Sequence, residues 1–221
     1  MNTGDTAFMM ICAALVFFMT PGLAFFYGGL VRRKNVCNTI MACVAIMGLS
    51  VVMWTLFGYS LSFGGNHAGI IGDFRWFGLN GVGMEAGPYA DSIPHLVFCA
   101  FQMMFAMITP ALITGSLVGR MKFKALFLFV AIWSVIVYYP MAHMVWGDGG
   151  FLAAIGSVDF AGGDVVHISS GISALVLAII LGRRRGYEHT TYRIHNIPSV
   201  VLGASLLWFG WFGFNAGSAL K

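Results

Sequence analysis

Residues 138–167 read YYPMAHMVWGDGGFLAAIGSVDFAGGDVVH. In this stretch an apolar run breaks into glycines and acids before a second apolar run begins. Against so greasy a background Trp146, Asp148, Asp159, Asp164 and His167 stand out. Ionisable side chains at or inside a hydrocarbon layer are costly, so they point to function by default. The stretch reads as a site for a small cation at the mouth of a path through a membrane.

The flanking sequence makes the membrane reading firm. The chain is 59% hydrophobic and only 9% charged, against roughly 25% charged in a soluble domain, and its mean hydropathy is +0.85. Charge-free runs cover 6–31, 35–72, 92–119, 125–147, 165–182 and 194–220. At ~20 residues per ~30 Å of hydrocarbon each crosses a bilayer once, the second ending earlier, near Ser62 to Gly65. The alternation of an outer-membrane barrel is absent. The expected fold is therefore all-α and integral to a membrane, with six transmembrane helices at about 7–31, 37–62, 94–118, 123–144, 162–182 and 196–219.

Basic residues set the orientation. Arg32, Arg33 and Lys34 follow the first span, Arg120, Lys122 and Lys124 join the third and fourth, and Arg183, Arg184, Arg185 and Arg193 join the fifth and sixth. The opposite loops hold Arg75 alone, with Lys221 at the chain end. The positive-inside rule then places the basic loops in the cytoplasm and the N-terminus outside a cell (inner) membrane. On this reading the net charge of +4 reflects topology and not nucleic-acid binding. Asp5, Asp73, Glu85, Asp91, Asp148, Asp159 and Asp164 fall on the outer side, where an acidic entrance concentrates cations; for Asp73, Glu85 and Asp91 an ordinary solvated loop explains the charge as well. The N-terminal segment lacks a basic n-region, and the apolar run after it is too long for a signal peptide. Cys12, Cys37, Cys43 and Cys99 show no metal spacing and read as free, buried thiols. No cofactor or metal is expected, and no nucleophile–base spacing marks an enzyme.

Local features refine the spans. Pro21 predicts a kink in the first. The segment 64–91 reads as a glycine-rich exterior loop, with Trp76 and Phe77 near the interface, and the third span starts near Pro94, a favoured first-turn residue. Phe101 and Phe105, four apart, share a face of it, as core stripe or as site. Tyr138 and Tyr139 read as an aromatic belt, whereas Trp146 precedes a flexible turn beside a carboxylate. Asp159 has the chemistry of an N-cap, so capping and ligand binding both stand for it. Asp164 lies three before His167 and would share its face. His167 lies 15 residues before Gly182, ~22 Å up the helix and inside the hydrocarbon, where an imidazole needs a partner or a path. The sixth span is too rich in aromatics and glycine for an unbroken helix facing lipid. Counted inward from its end, Ser218 lies near the mouth and Phe214 about one turn deeper. Its Phe214-Asn215-Ala216-Gly217 echoes Phe26-Tyr27-Gly28-Gly29 of the first span, the pattern of an inverted repeat.

PGLAFFYGGLVRRKN (21–35), AFQMMFA (100–106), AHMVWGDGG (142–150), DFAGGDVVHISSG (159–171) and GWFGFNAGSA (210–219), in this order and spacing, resemble the ammonium transporter family (Amt/Mep/Rh), its Amt branch in particular. The resemblance implies an eleven-helix homotrimer with one pore per subunit, built from two inverted five-helix repeats. This chain corresponds to the first repeat plus the first helix of the second, the rest being absent after Lys221. It further implies ammonium transport for nitrogen uptake. Trp146, Phe105 and Ser218 would form the outer recruitment site, Phe105 and Phe214 a gate flanked by Phe101, and His167 the first pore histidine. Asp159 would support the substrate site without lining it. Asp148 and Asp164 depart from the family pattern of smaller or uncharged residues. A PII-type signalling protein would dock on the cytoplasmic face beside the 183–193 loop. The alternative is an ammonium-sensing membrane domain or a non-conducting fragment of a longer transporter, separated from the first reading by what lies downstream in the gene.

Overall fold

The computed structural model describes residues 1–184, 186–189 and 191–220. Arg185 and Lys221, both used in the orientation argument, lie outside the described residues. Among the described residues six helices are long and apolar enough to cross a membrane. We label the helices α1 (Thr3–Leu30), α2 (Arg33–Phe63), α3 (His95–Leu117), α4 (123–146), α5 (Phe151–Ala154, one turn), α6 (Gly163–Leu181) and α7 (Ile197–Gly217). Between α2 and α3 a short antiparallel pair, β1 (Ala86–Gly87) and β2 (Ala90–Pro94), interrupts what the sequence presents as plain loop.

Local chemistry starts and stops these helices. The Asn2 side chain accepts from the Gly4 amide at 2.8 Å and Asn196 from Ser199 at 3.1 Å, each supplying an acceptor that a helix N-terminus lacks. The first helix runs unbroken through Pro21. Helix α3 is the centre of the bundle, packing on α1, α2 and α6; 72% of its most apolar stretch is buried, against 22% for α6 and for α7. Buried polar tips find partners between helices. Tyr27 donates to the Leu112 carbonyl at 2.9 Å, Trp54 to that of Cys99 at 3.2 Å, and Trp133 to the Ser173 hydroxyl at 2.8 Å.

Three expectations need correcting. The last span is one continuous helix, because its glycines face α1 and not lipid. A Cβ on Gly213 would stand 2.6 Å from Leu15 Cβ, and one on Gly203 would strike the α1 backbone at Phe26. Small residues of this kind let two membrane helices close to backbone contact. Tyr138 and Tyr139 form no belt; each is 1% exposed, and a Cβ on Gly58 would lie 2.6 Å from the Tyr139 ring. Both helices make a π-turn here, Trp54–Gly58 and Ser134–Tyr138, and the residue each inserts turns Tyr139 inward against Trp54, ring centroids 6.1 Å apart. Finally, the four cysteines are free, but Cys37 is exposed.

Candidate functional site

Helix α4 ends at Trp146, and the turn that follows is clamped from several directions. The backbone leaves the helix through Gly147 to Gly150, with Gly149 at φ +70°, a conformation glycine adopts without strain. Asn66 donates to the Gly149 carbonyl at 3.0 Å, the Phe151 amide donates to the Gly69 carbonyl at 2.8 Å, and the Asp148 amide donates to the Tyr89 hydroxyl at 3.2 Å. That hydroxyl in turn donates to the Phe63 carbonyl at 2.8 Å. Burial pushes the Tyr89 phenol above its usual range, so it stays a neutral donor. Behind the turn His143 is fully buried, its Nδ1 3.0 Å from the Ser62 carbonyl and its Nε2 3.3 Å from Asn66 Oδ1.

Asp159 and Asp164 are engaged in structure, whereas Asp148 is exposed. The Asp159 carboxylate accepts from four consecutive amides at the start of α6: Gly162 at 2.5 Å, Gly163 at 2.8 Å, Asp164 at 2.7 Å and Val165 at 3.0 Å. The chain folds back onto it because Gly162 sits at φ +111°, which an L side chain rarely tolerates. The carbonyl of Asp159 accepts the Trp146 indole N–H at 2.9 Å. Of the two readings open for Asp159, the geometry is that of a cap that also fixes the indole. Asp164 accepts from the Ser157 hydroxyl at 2.7 Å, and α6 opens with a π-turn, Gly163–Ile168, so its spacing to His167 is not that of an α-helical face.

A cavity of about 280 Å³ opens beside this turn, lined among others by Trp146, Phe105, Ser218, Phe160 and Gln102. The Phe105 ring meets Trp146 edge-on at 5.8 Å and Phe214 at 4.4 Å. Phe101 packs edge-on against Phe105 at 5.0 Å, outside the cavity lining. Phe101, Phe105 and Phe214 are all essentially inaccessible, so the rings between the cavity and the bundle interior leave no open passage. Beyond them His167 stacks on Phe214 at 6.1 Å and on Trp211 at 5.9 Å. Its side chain is exposed, on the face that α6 and α7 turn outward. The Ser218 hydroxyl donates to the Phe214 carbonyl at 2.8 Å, which leaves its lone pairs as acceptors toward the cavity.

Two lining residues and two supports were not singled out from sequence. Gln102 Oε1 is a buried acceptor with no partner among the described residues, and a lone amide in an otherwise apolar span is a signal for such a role. Phe160 lines the cavity directly after Asp159. Asn66 and His143 carried no signal, since 77 residues separate them.

A sequence model described as Ammonium Transporter Family matches residues 7–221. The ammonium transporter of Bacillus subtilis is 52% identical over 220 residues, covering 100% of this chain and 54% of the relative; that of Aquifex aeolicus is 51% identical, covering 100% and 51%. Among solved structures, Saccharomyces cerevisiae Mep2 superposes with a TM-score of 0.90 at 36% identity, covering 100% of this chain and 51% of its own. A protein titled Sensor Amt Protein superposes at 0.86 with 31% identity, covering 98% and 55%. The chain spans about half the length of the relatives it matches. With a family match along almost its whole length and four of the five motifs contributing to one aromatic cavity, the chain belongs to the ammonium transporter family.

Proposed function

We propose that this chain forms the recruiting half of an ammonium conduction path, in a homotrimer with its N-terminus outside the cell. The observation that carries the reading is the ring series: Trp146 to Phe105 at 5.8 Å, Phe105 to Phe214 at 4.4 Å, Phe214 to His167 at 6.1 Å. Ammonium settles in the cavity over the faces of Trp146 and Phe105. A desolvated cation–π contact is worth about 2 kcal/mol, and Ser218 Oγ and the unpaired Gln102 Oε1 accept two of the ion's protons.

Past this point magnitude selects the permeant. Carrying an intact ion into a dry constriction costs on the order of 20 kcal/mol in the idealised limit and several after relaxation. Removing a proton from ammonium, pKa about 9 to 10, at pH 7 costs about 3 to 4 kcal/mol. At the Phe105–Phe214 pair ammonium gives its proton back to water on the open side of the cavity and crosses as ammonia toward His167; potassium has no proton to lose. Asp159 acts on this path through position, holding the indole and the α6 terminus.

The test is ammonium-dependent current in liposomes bearing the full-length protein. Trp146→Leu should raise half-saturation by about 30-fold, the equivalent of about 2 kcal/mol. Potassium carried as readily as ammonium would refute the reading. The likeness to a sensor protein favours one second reading, an ammonium-sensing membrane domain; it binds ammonium in the same cavity without current and is marked by a signalling domain downstream in the gene. From the family resemblance, a PII-type protein docks at the basic end of the bundle, beside the 183–193 loop.

A further inference from the structure

At the end of the bundle opposite Trp146, the segment after α1, the α3–α4 turn and the segment after α6 enclose a cavity of about 560 Å³. Among the described residues five cationic side chains face it: Arg32, Lys34, Arg120, Arg183 and Arg184. Among the described residues no carboxylate lines it. The guanidinium carbons of Arg32 and Arg184 lie over one and the same ring, that of Tyr192, 4.9 and 4.8 Å from its centroid. Glu188 is engaged by Arg183 at 2.6 Å, and both are well exposed.

A basic end is expected of the cytoplasmic side of a membrane protein, but mutual repulsion in a solvated face drives such charges apart. Here they converge on one cavity. Its floor is fixed, because Arg120 donates to the Gly182 carbonyl at 2.7 Å and to that of Ser116. The arginine fork matches the tetrahedral oxygens of a phosphate. Leu181, in the last turn of a membrane-spanning helix, lines the same cavity, so the charges stand at the depth of lipid headgroups.

We propose that this cavity is a binding site for a phosphate group, carried by an anionic phospholipid headgroup or free in solution. The test is native mass spectrometry of the full-length protein titrated with phosphatidylglycerol or phosphatidylcholine, with and without inorganic phosphate. Phosphatidylglycerol should bind about tenfold more tightly, and the pair Lys34→Gln with Arg184→Gln should weaken it about fivefold or more. Lys124→Gln, at the same end but outside the cavity lining, should leave it unchanged. Arg184→Lys keeps the charge and loses the fork; a partial weakening at full protein yield separates recognition from folding. Displacement by millimolar inorganic phosphate assigns the site to free phosphate, and resistance assigns it to the headgroup; either supports the proposal. Equal affinity for the two lipids with no effect of inorganic phosphate, or equal weakening by Lys124→Gln, would overturn it in favour of a diffuse basic face.

Discussion

The two ends of α6 are held by opposite charges used in opposite ways. At its start the Asp159 carboxylate takes four backbone amides; at its end the Arg120 guanidinium donates to the carbonyls of Ala178 and Gly182. Each complements the partial charge that a helix carries at that terminus. The difference lies in what is left over. Asp159 is saturated and lends the mouth no free anion, which on the proposed reading leaves the exposed Asp148, the aromatic faces and the neutral acceptors to attract a cation there. Arg120 keeps a buried Nε with no partner among the described residues and sits among further cations. On the proposed reading one end holds a cation weakly enough to release it; the other gathers positive charge.

The largest expected effect tests the saturated end. Asp159→Ala strips four amides of their acceptor and frees the Trp146 indole from a fixed backbone. Loss of a cap costs about 0.5–2 kcal/mol and each charged hydrogen bond about 1.5–3 kcal/mol; with water replacing part of the loss, we expect about 3 kcal/mol. Thermal unfolding in detergent should show it, with Asp159→Asn intermediate. Arg120→Met should cost less, about 1–2 kcal/mol, because the carbonyls it releases lie beside an open cavity and find water. A larger loss for Arg120→Met than for Asp159→Ala would reverse the comparison.

Next comes Ser218→Ala. The hydroxyl already spends its proton on Phe214, so its removal costs one acceptor at the cavity, about 0.5–1.5 kcal/mol. Half-saturation for ammonium should rise about 2- to 10-fold at unchanged protein yield. A fall in yield alone would make Ser218 structural.

These cases show what was legible. The membrane class and the six spans follow from composition, and Trp146, Asp159 and His167 stand out because polar groups are conspicuous in an apolar chain. Contacts made by register were hidden. The π-turn at Ser134–Tyr138 inserts a residue with no sequence signature and turns Tyr138 and Tyr139 inward, where charge-free runs imply a rim. The same effect at Gly163–Ile168 separates Asp164 from His167. Arg120 reads as one more topogenic cation, since two of its carbonyl partners, Ala178 and Gly182, lie 58 and 62 residues away. The glycines of α7 look like helix breakers until the complementary surface of α1 is beside them.

The smallest effect isolates what an acid at the mouth end contributes when it is paired in the open. Asp73 accepts from the Gly65 and Arg75 amides at 3.0 Å and pairs with the Arg75 guanidinium at 3.0 Å. Burial raises its carboxyl, but hydrogen bonds from the Arg75 and Gly65 amides and the Arg75 charge outweigh it and hold the group below the usual range. A carboxyl lowered in the folded state contributes stability at pH values above its unfolded value, about 3.9, and loses it as pH falls through the folded value. Protection factors against hydrogen exchange across 64–76 should therefore stay flat from neutral pH to about 4 and fall below it. Asp73→Asn should abolish that acid dependence while keeping one acceptor for Gly65. Because the pair is partly exposed and screened, the change should stay local to this loop. Acid unfolding of the whole bundle through Asp73 would mean that the mouth depends on a free surface charge after all, against the saturated geometry of Asp159.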